Sequence, residues 1–283
     1  MYIILLSGLA SFSFCLVCLY PGAEASHKNF NQEIITSMHT ITDIKTEEVL
    51  YNSNGKQARG YIAYDENQKG KLPVVIIVHE WWGLNDFAKS RARQIAALGY
   101  FAFDADLFGN GQLANNPDEA RALTKPYYLN PENTLKPIED AIAKAATFPQ
   151  ADISKVAAMG YCFGGFVVVN AAKLGAPLKG AVSFHGRLKG VQPKNNLLKG
   201  RILICQGGDD EFAPMSDQIA FRKSMDSVGA QYIFITYPGA KHAYSNPDAT
   251  ALGIKFNMPL AYNASADSAS WKDMQSFFVS VFN

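Results

Sequence analysis

The sequence predicts an α/β protein: a mostly parallel sheet with helices on both faces and an antiparallel hairpin at one edge. Three observations carry that prediction. Short β-branched apolar runs alternate with amphipathic stretches over residues 41–283, the pattern of repeated strand–helix units. Val74-Val75-Ile76-Ile77-Val78 is apolar throughout, as a strand buried on both faces must be. Residues 41–51 and 59–64 alternate apolar with polar around Asn52-Ser53-Asn54-Gly55, a hairpin signal.

The elements follow in order. After the hairpin and the strand at 74–78, residues 86–98 place Phe87, Ile95 and Leu98 on an apolar side, and Gly99 stops the helix. A strand is expected over 100–105 and a helix over 131–148. Next come a strand over 156–161 and a helix over 164–174. Strands are expected over 181–184 and 202–205, then a helix over 214–228 opened by Pro214. A strand over 232–237 and a helix over 265–282 close the chain. There is no internal repeat, and residues 41–283 read as one domain.

Composition narrows the class. The 283 residues carry a net charge of +1, with 48% hydrophobic and 18% charged. That excludes a disordered chain and a strongly basic nucleic-acid binder. Residues 1–19 lack any charged side chain and lead to Ala23-Glu24-Ala25 before the polar Ser26-His27-Lys28. An apolar run ending in a small-x-small triplet predicts a signal peptide over 1–25 cleaved after Ala25. No Lys or Arg precedes the run, so an uncleaved anchor is the competing reading. Val17 before Cys18 argues against a lipoprotein. Residues 26–40 form a polar leader. The expected product is exported, periplasmic or secreted, and free of the membrane once cleaved. It keeps two cysteines, Cys162 and Cys205.

Active sites in parallel sheets lie at the carboxyl ends of the strands, so the residues just past each strand hold the chemistry. Gly160-Tyr161-Cys162-Phe163-Gly164-Gly165 sits between a predicted strand and helix. It has the pattern of a nucleophile elbow with cysteine in the serine position. Side chains at 160 and 164 would clash in the tight turn, and the helix N-terminus favours thiolate. Cys162 must then stay free, which argues against a disulfide to Cys205, itself a core residue in Ile202-Leu203-Ile204-Cys205. Such a nucleophile needs a base and an orienting acid, in that fold following in the order nucleophile, acid, histidine. Two later strand ends supply them, Asp209-Asp210 before Pro214 and His242 in Gly239-Ala240-Lys241-His242. Asp209 could share or swap the role of Asp210. His185, also at a strand end, lines the site or serves as base if His242 does not.

Together these stretches resemble the dienelactone hydrolase family of the α/β-hydrolase superfamily. His79-Glu80-Trp81-Trp82-Gly83, Asp106-Leu107-Phe108-Gly109, the Cys162 elbow, Gly208 to Pro214 and Gly239 to Tyr244 carry the resemblance. It runs from about Glu48 to the C-terminus. It implies a hydrolase of small esters or lactones with a Cys162–His242–Asp210 triad, placing the acid on Asp210; the expected protein is a monomer. The expected enzyme uses no cofactor or metal and binds no nucleic acid. Glu80 matches the glutamate thought to hold the resting thiol, and Gly83 stands where a zinc motif H-E-x-x-H needs its second histidine. The backbone N–H groups of Trp81 and Phe163 would form the oxyanion hole, as the elbow rule also requires. Two family arginines that bind a substrate carboxylate are replaced by Asn110 and Asn246. With Trp82, these mark a pocket for a substrate other than dienelactone, more apolar or aromatic. The rivals are a thioesterase or peptidase on the same fold, and a binding protein that keeps the fold without catalysis.

Overall fold

Asn54 and Gly55 take φ of +50° and +77°, the pair of left-handed residues that a two-residue type I′ turn demands. They join strand β1 (Ile44–Ser53) to strand β2 (Lys56–Asp65), with Ser53 facing Lys56 across the turn. The protein is described here from a computed structural model over residues 43–283. The expected signal peptide, the leader and the first residues of the 41–51 segment lie outside the described residues.

Six further strands complete one sheet. They are β3 (Leu72–Val78), β4 (Phe101–Ala105), β5 (Ala151–Tyr161), β6 (Gly180–Phe184), β7 (Arg201–Gly207) and β8 (Tyr232–Tyr237). Their spatial order is β1-β2-β4-β3-β5-β6-β7-β8. The β1–β2 and β2–β4 pairs are antiparallel, and every other pair is parallel. The hairpin therefore forms one edge, as expected. Val74 to Val78 are fully buried in the middle of this order, each such side chain stabilising the fold by roughly 1.5–3 kcal/mol.

The helices are α1 (Asp86–Ala97), α2 (Pro117–Leu129), α3 (Leu135–Ala145), α4 (Phe163–Lys173), α5 (Met215–Asp226), α6 (Ala249–Phe256) and α7 (Ala264–Phe282). Ile95 of α1 and Met274, Phe277 and Phe278 of α7 pack on one face of the sheet. Ile138 of α3, Val167 and Val168 of α4 and Phe221 of α5 pack on the other. Every residue of α4 is buried, which its run of Phe166-Val167-Val168-Val169 foreshadows.

Four elements differ from the sequence expectation. The helix expected over 131–148 is split: Pro131–Thr134 is a 3₁₀ turn, and α3 starts only at Leu135. The first of its two prolines, Pro131, opens that turn. Strand β5 starts at Ala151 rather than 156, because Pro73 pairs with Asp152 while the next residue, Val74, pairs with Val156. Ile153, Ser154 and Lys155 between them bulge out, which breaks the apolar run and hides the strand's start. Helices α2 and α6 were not expected at all.

Candidate active site

The elbow owes its shape to its glycines. Cys162 sits at φ +53° and ψ −110° between β5 and α4, a conformation a non-glycine residue keeps only when its surroundings enforce it. A Cβ on Gly160 would lie 2.2 Å from the carbonyl carbon of Gly164, and one on Gly164 would lie 2.1 Å from the Val78 oxygen. A Cβ on Gly165 would lie 2.4 Å from Ser183 Oγ on the neighbouring strand. Helix α4 can thus press against the ends of β3 and β6 and lift the thiol to the sheet's edge, where it is partly exposed.

Two other strand ends meet it there. The turn after β8 carries His242, whose Nε2 lies 3.1 Å from Cys162 Sγ and whose Nδ1 lies 2.9 Å from Asp210 Oδ2. The loop after β7 carries Asp210. Its carboxylate also accepts from Gln206 Nε2 at 2.6 Å and from the Phe212 amide at 2.9 Å. It is Asp210, not Asp209, that faces the imidazole. Burial alone would depress the His242 imidazole, but the charges on Cys162 and Asp210 and its hydrogen bonds to both push it up to about 10.

His185 is brought close but not into the cavity. It is fully buried, its Nδ1 accepts the Cys162 N–H at 3.2 Å, and its Nε2 lies 2.7 Å from Ser245 Oγ. Since Nδ1 accepts, the proton sits on Nε2 and is donated to Ser245. Burial, with the charges of His242 and Arg91, holds this ring well below the usual histidine range. It is not among the residues that line the cavity; it braces the Cys162 backbone N–H from behind. Ser245 is fixed in turn, because Arg91 on α1 donates to its carbonyl at 2.7 Å while pairing with Asp267 on α7 at 2.6 Å.

Glu80, Trp81 and Trp82 follow β3. His79 fixes this turn by accepting the Leu107 N–H on Nε2 and donating from Nδ1 to the Glu80 carbonyl, so its ring is occupied by backbone. Glu80 is buried, and its Oε2 accepts from Asn246 Nδ2 at 2.6 Å. Asn246 Oδ1 accepts the Asp248 N–H, which fixes the amide's orientation. The side chain of Glu80 thus turns to Asn246 in this structure, and Cys162 Sγ to His242. Burial raises the Glu80 carboxyl to about 7, against the pull of Asn246, His242 and Arg91. A carboxyl raised by folding stabilises the fold below its unfolded value of 4.5, and that contribution is lost as pH climbs through 7. The loss is on the order of 3 kcal/mol. Glu80→Gln should flatten the fall in thermal midpoint between pH 5 and 8. Equal slopes in variant and wild type would contradict this.

The N–H groups of Trp81 and Phe163 donate to no other group among the described residues. Both Trp81 and Trp82, along with Asn246, line a cavity of about 360 Å³ that also receives Glu80, Cys162 and His242. Asn110 does not. It stands at φ +55° after the Asp106 turn and faces a separate depression with Glu48, Arg59 and Lys89. Its expected place in the pocket is corrected accordingly. The turn itself is tied down by Asp106, whose carboxylate accepts four amides, those of Arg59, Phe108, Gly109 and Gly111. This points the chain after Gly109 toward β2 and away from the thiol.

Sequence reasoning missed the cavity's outer wall. Helix α2 supplies Arg121, Lys125, Tyr128 and Leu129, the loop after β6 supplies Arg187, and α6 supplies Leu252. Its starting signal was present: Asn116 caps α2 by accepting the amides of Asp118 and Glu119, and Pro117 opens it.

The model of the dienelactone hydrolase family matches residues 58–282. Relatives from Saccharolobus solfataricus and Escherichia coli strain K12, each named "Putative carboxymethylenebutenolidase", are similar in sequence. The first is 26% identical, covering 82% of this chain and 97% of its own length. The second is 27% identical, covering 80% and 83%. In structure the chain is similar to a dienelactone hydrolase-like promiscuous phosphotriesterase from metagenomic libraries. The TM-score is 0.80 at 30% identity, covering 85% of this chain and 100% of that one. The chain belongs to the dienelactone hydrolase family and is a hydrolase of that family on the α/β-hydrolase fold.

Proposed function

We propose that the protein cleaves a small carboxylic ester or lactone through a thioester on Cys162. The observation that carries this reading is the chain Cys162 Sγ–His242 Nε2–Asp210 at 3.1 and 2.9 Å, opening into a largely apolar cavity. His242 Nε2 takes the proton of the Cys162 thiol, and the thiolate so formed is the nucleophile. Sγ attacks the substrate's carbonyl carbon, and the carbonyl π electrons move onto oxygen. The unengaged amides of Trp81 and Phe163 donate to that oxyanion. Collapse breaks the C–O bond, and the leaving alkoxide takes the proton from His242 Nε2. A water then gives its proton to His242, attacks the thioester and expels the thiolate, which restores the starting pair. Asp210 keeps the imidazole oriented and balances its charge in both halves.

The substrate side of the reading rests on the walls. Trp81, Trp82, Tyr128, Phe212, Leu252 and Leu260 face the cavity, which suits an acyl or alcohol group with an apolar or aromatic body. No cofactor enters the reaction. A panel of aryl esters, lactones, thioesters and peptide amides tests the class. Esters or lactones are expected to lead, with turnover unaffected by EDTA. Thioesters or amides leading would favour the rival chemistries, and no turnover at all would favour a binding protein. Export follows from residues 1–25 as proposed above, and a mature protein beginning at Ser26 by N-terminal sequencing is the expected outcome.

A further inference from the structure

We infer that the outer wall of the cavity is a subsite for a carboxylate borne by the substrate at a distance from the scissile carbonyl, with Arg187 and Lys125 as its ligands. This deepens the proposed function and names residues that neither the family arginine positions nor the triad includes. The family positions hold Asn110, outside the cavity, and Asn246, committed to Glu80.

The charge lining the cavity is lopsided. Three cations reach it, Arg121, Lys125 and Arg187, against one carboxylate, Glu80. Glu80 lies at the buried end and is bonded to Asn246, so it does not neutralise the outer wall. Arg121 is paired with Asp118 at 2.6 Å. Lys125 and Arg187 form no ion pair or hydrogen bond among the described residues. Two uncompensated cations at the rim of an apolar cavity set a positive field over its interior, and low-dielectric walls concentrate that field.

Arg187 is also held in a useful pose. Its guanidinium lies 4.8 Å over the Tyr128 ring, a stacking that fixes the plane and leaves the N–H edge free for a carboxylate. Tyr128 in turn packs on Phe163 and Phe166 at 5.8 and 4.8 Å between ring centres. Phe163 is the residue after the nucleophile. The path from thiol to guanidinium therefore runs along the cavity past the Tyr128 ring. A substrate with an ester at one end and a carboxylate at the other fits that path, its middle lying on Tyr128 and the tryptophans.

Matched substrate pairs test this. 4-Nitrophenyl butyrate against mono-4-nitrophenyl glutarate places the charge on the acyl side, and phenyl acetate against 4-acetoxybenzoate places it on the leaving group. In one pair the anionic member is expected to exceed the neutral one in kcat/KM by about tenfold, through KM. The ratio should fall toward one in the Arg187→Gln, Lys125→Gln double variant and with rising salt, and Arg187→Lys should retain most of it. Binding of 4-phenylbutyrate against 4-phenylbutanamide, followed by tryptophan fluorescence, reads the same subsite without turnover. A neutral member equal or better in both pairs, or an anion preference that survives the double variant, overturns the inference. Preferred binding of the anion without hydrolysis of any ester would instead sink the proposed function and leave the subsite standing.

Discussion

Cys162→Ala is expected to lower kcat/KM for small aryl esters by about a thousandfold or more, while the protein stays folded. In the proposed mechanism Cys162 carries the covalent step, so its removal leaves only the oxyanion donors and binding. The fold should tolerate the change because the thiol's one side-chain partner is His242, and Cys162 makes no capping bond to α4. Alanine meets the same backbone strain at φ +53° as cysteine does, so none is added. A thermal midpoint within a few degrees of wild type, with activity at the uncatalysed level, is the expected pair of readings. Wild-type turnover in that variant would remove the sulfur from the mechanism.

Gly164→Ala is expected to do the opposite, destroying the fold rather than only the chemistry. Its Cβ would sit 2.1 Å from the Val78 oxygen, 2.6 Å from the Val78 carbon and 2.7 Å from the His79 oxygen. All three are backbone atoms at the end of the central strand, so no side chain can swing away. Either β3 or α4 must shift, and both are buried through most of their length. A cost of about 4 kcal/mol or more follows, a large share of the stability of an ordinary domain. Gly229→Ala is the control. Its φ is positive, +61°, unlike that of Gly164, but nothing lies within 4 Å of its added Cβ, so only the backbone term of about 1 kcal/mol remains. Denaturant midpoints of the two variants should differ widely, and similar midpoints would show that the elbow is not as tightly packed as drawn.

What the sequence made legible, and what it hid, divide along physical lines. β3 and α4 announced themselves because burial on all sides leaves an unbroken apolar run. The hairpin did so because Asn54-Gly55 suits few backbones but its own. Cys162, Asp210 and His242 were found by looking just past strand ends, since a parallel sheet gathers those ends at one edge. The same search reached His185 and stopped short of Arg187, two residues later in the same loop. His185 misled because a strand-end histidine reads alike whether it faces substrate or braces a backbone amide, and only the Cys162 N–H and Ser245 contacts decide between them. Asn110 misled because the Asp106 carboxylate, by gathering four amides, sends the chain the other way. Helix α2 hid because it buries only Ala120 and Thr124 and contains Pro126, so it has almost no apolar stripe. Helix α6 hid for the same reason, with Ala249 and Gly253 as its buried residues and Ile254 in solvent. Both helices serve the cavity rather than the core, and a periodicity search looks for cores.

The account stands on a covalent bond between substrate and sulfur. Mixing the protein with a slowly released aryl ester, quenching in acid and weighing the intact chain should show a mass increase of one acyl group. Peptide mapping should place it on the segment containing Cys162, and neutral hydroxylamine should remove it, as a thioester requires. Turnover of the ester with the Cys162 peptide never acylated, or with the acyl group on another side chain, would contradict the account.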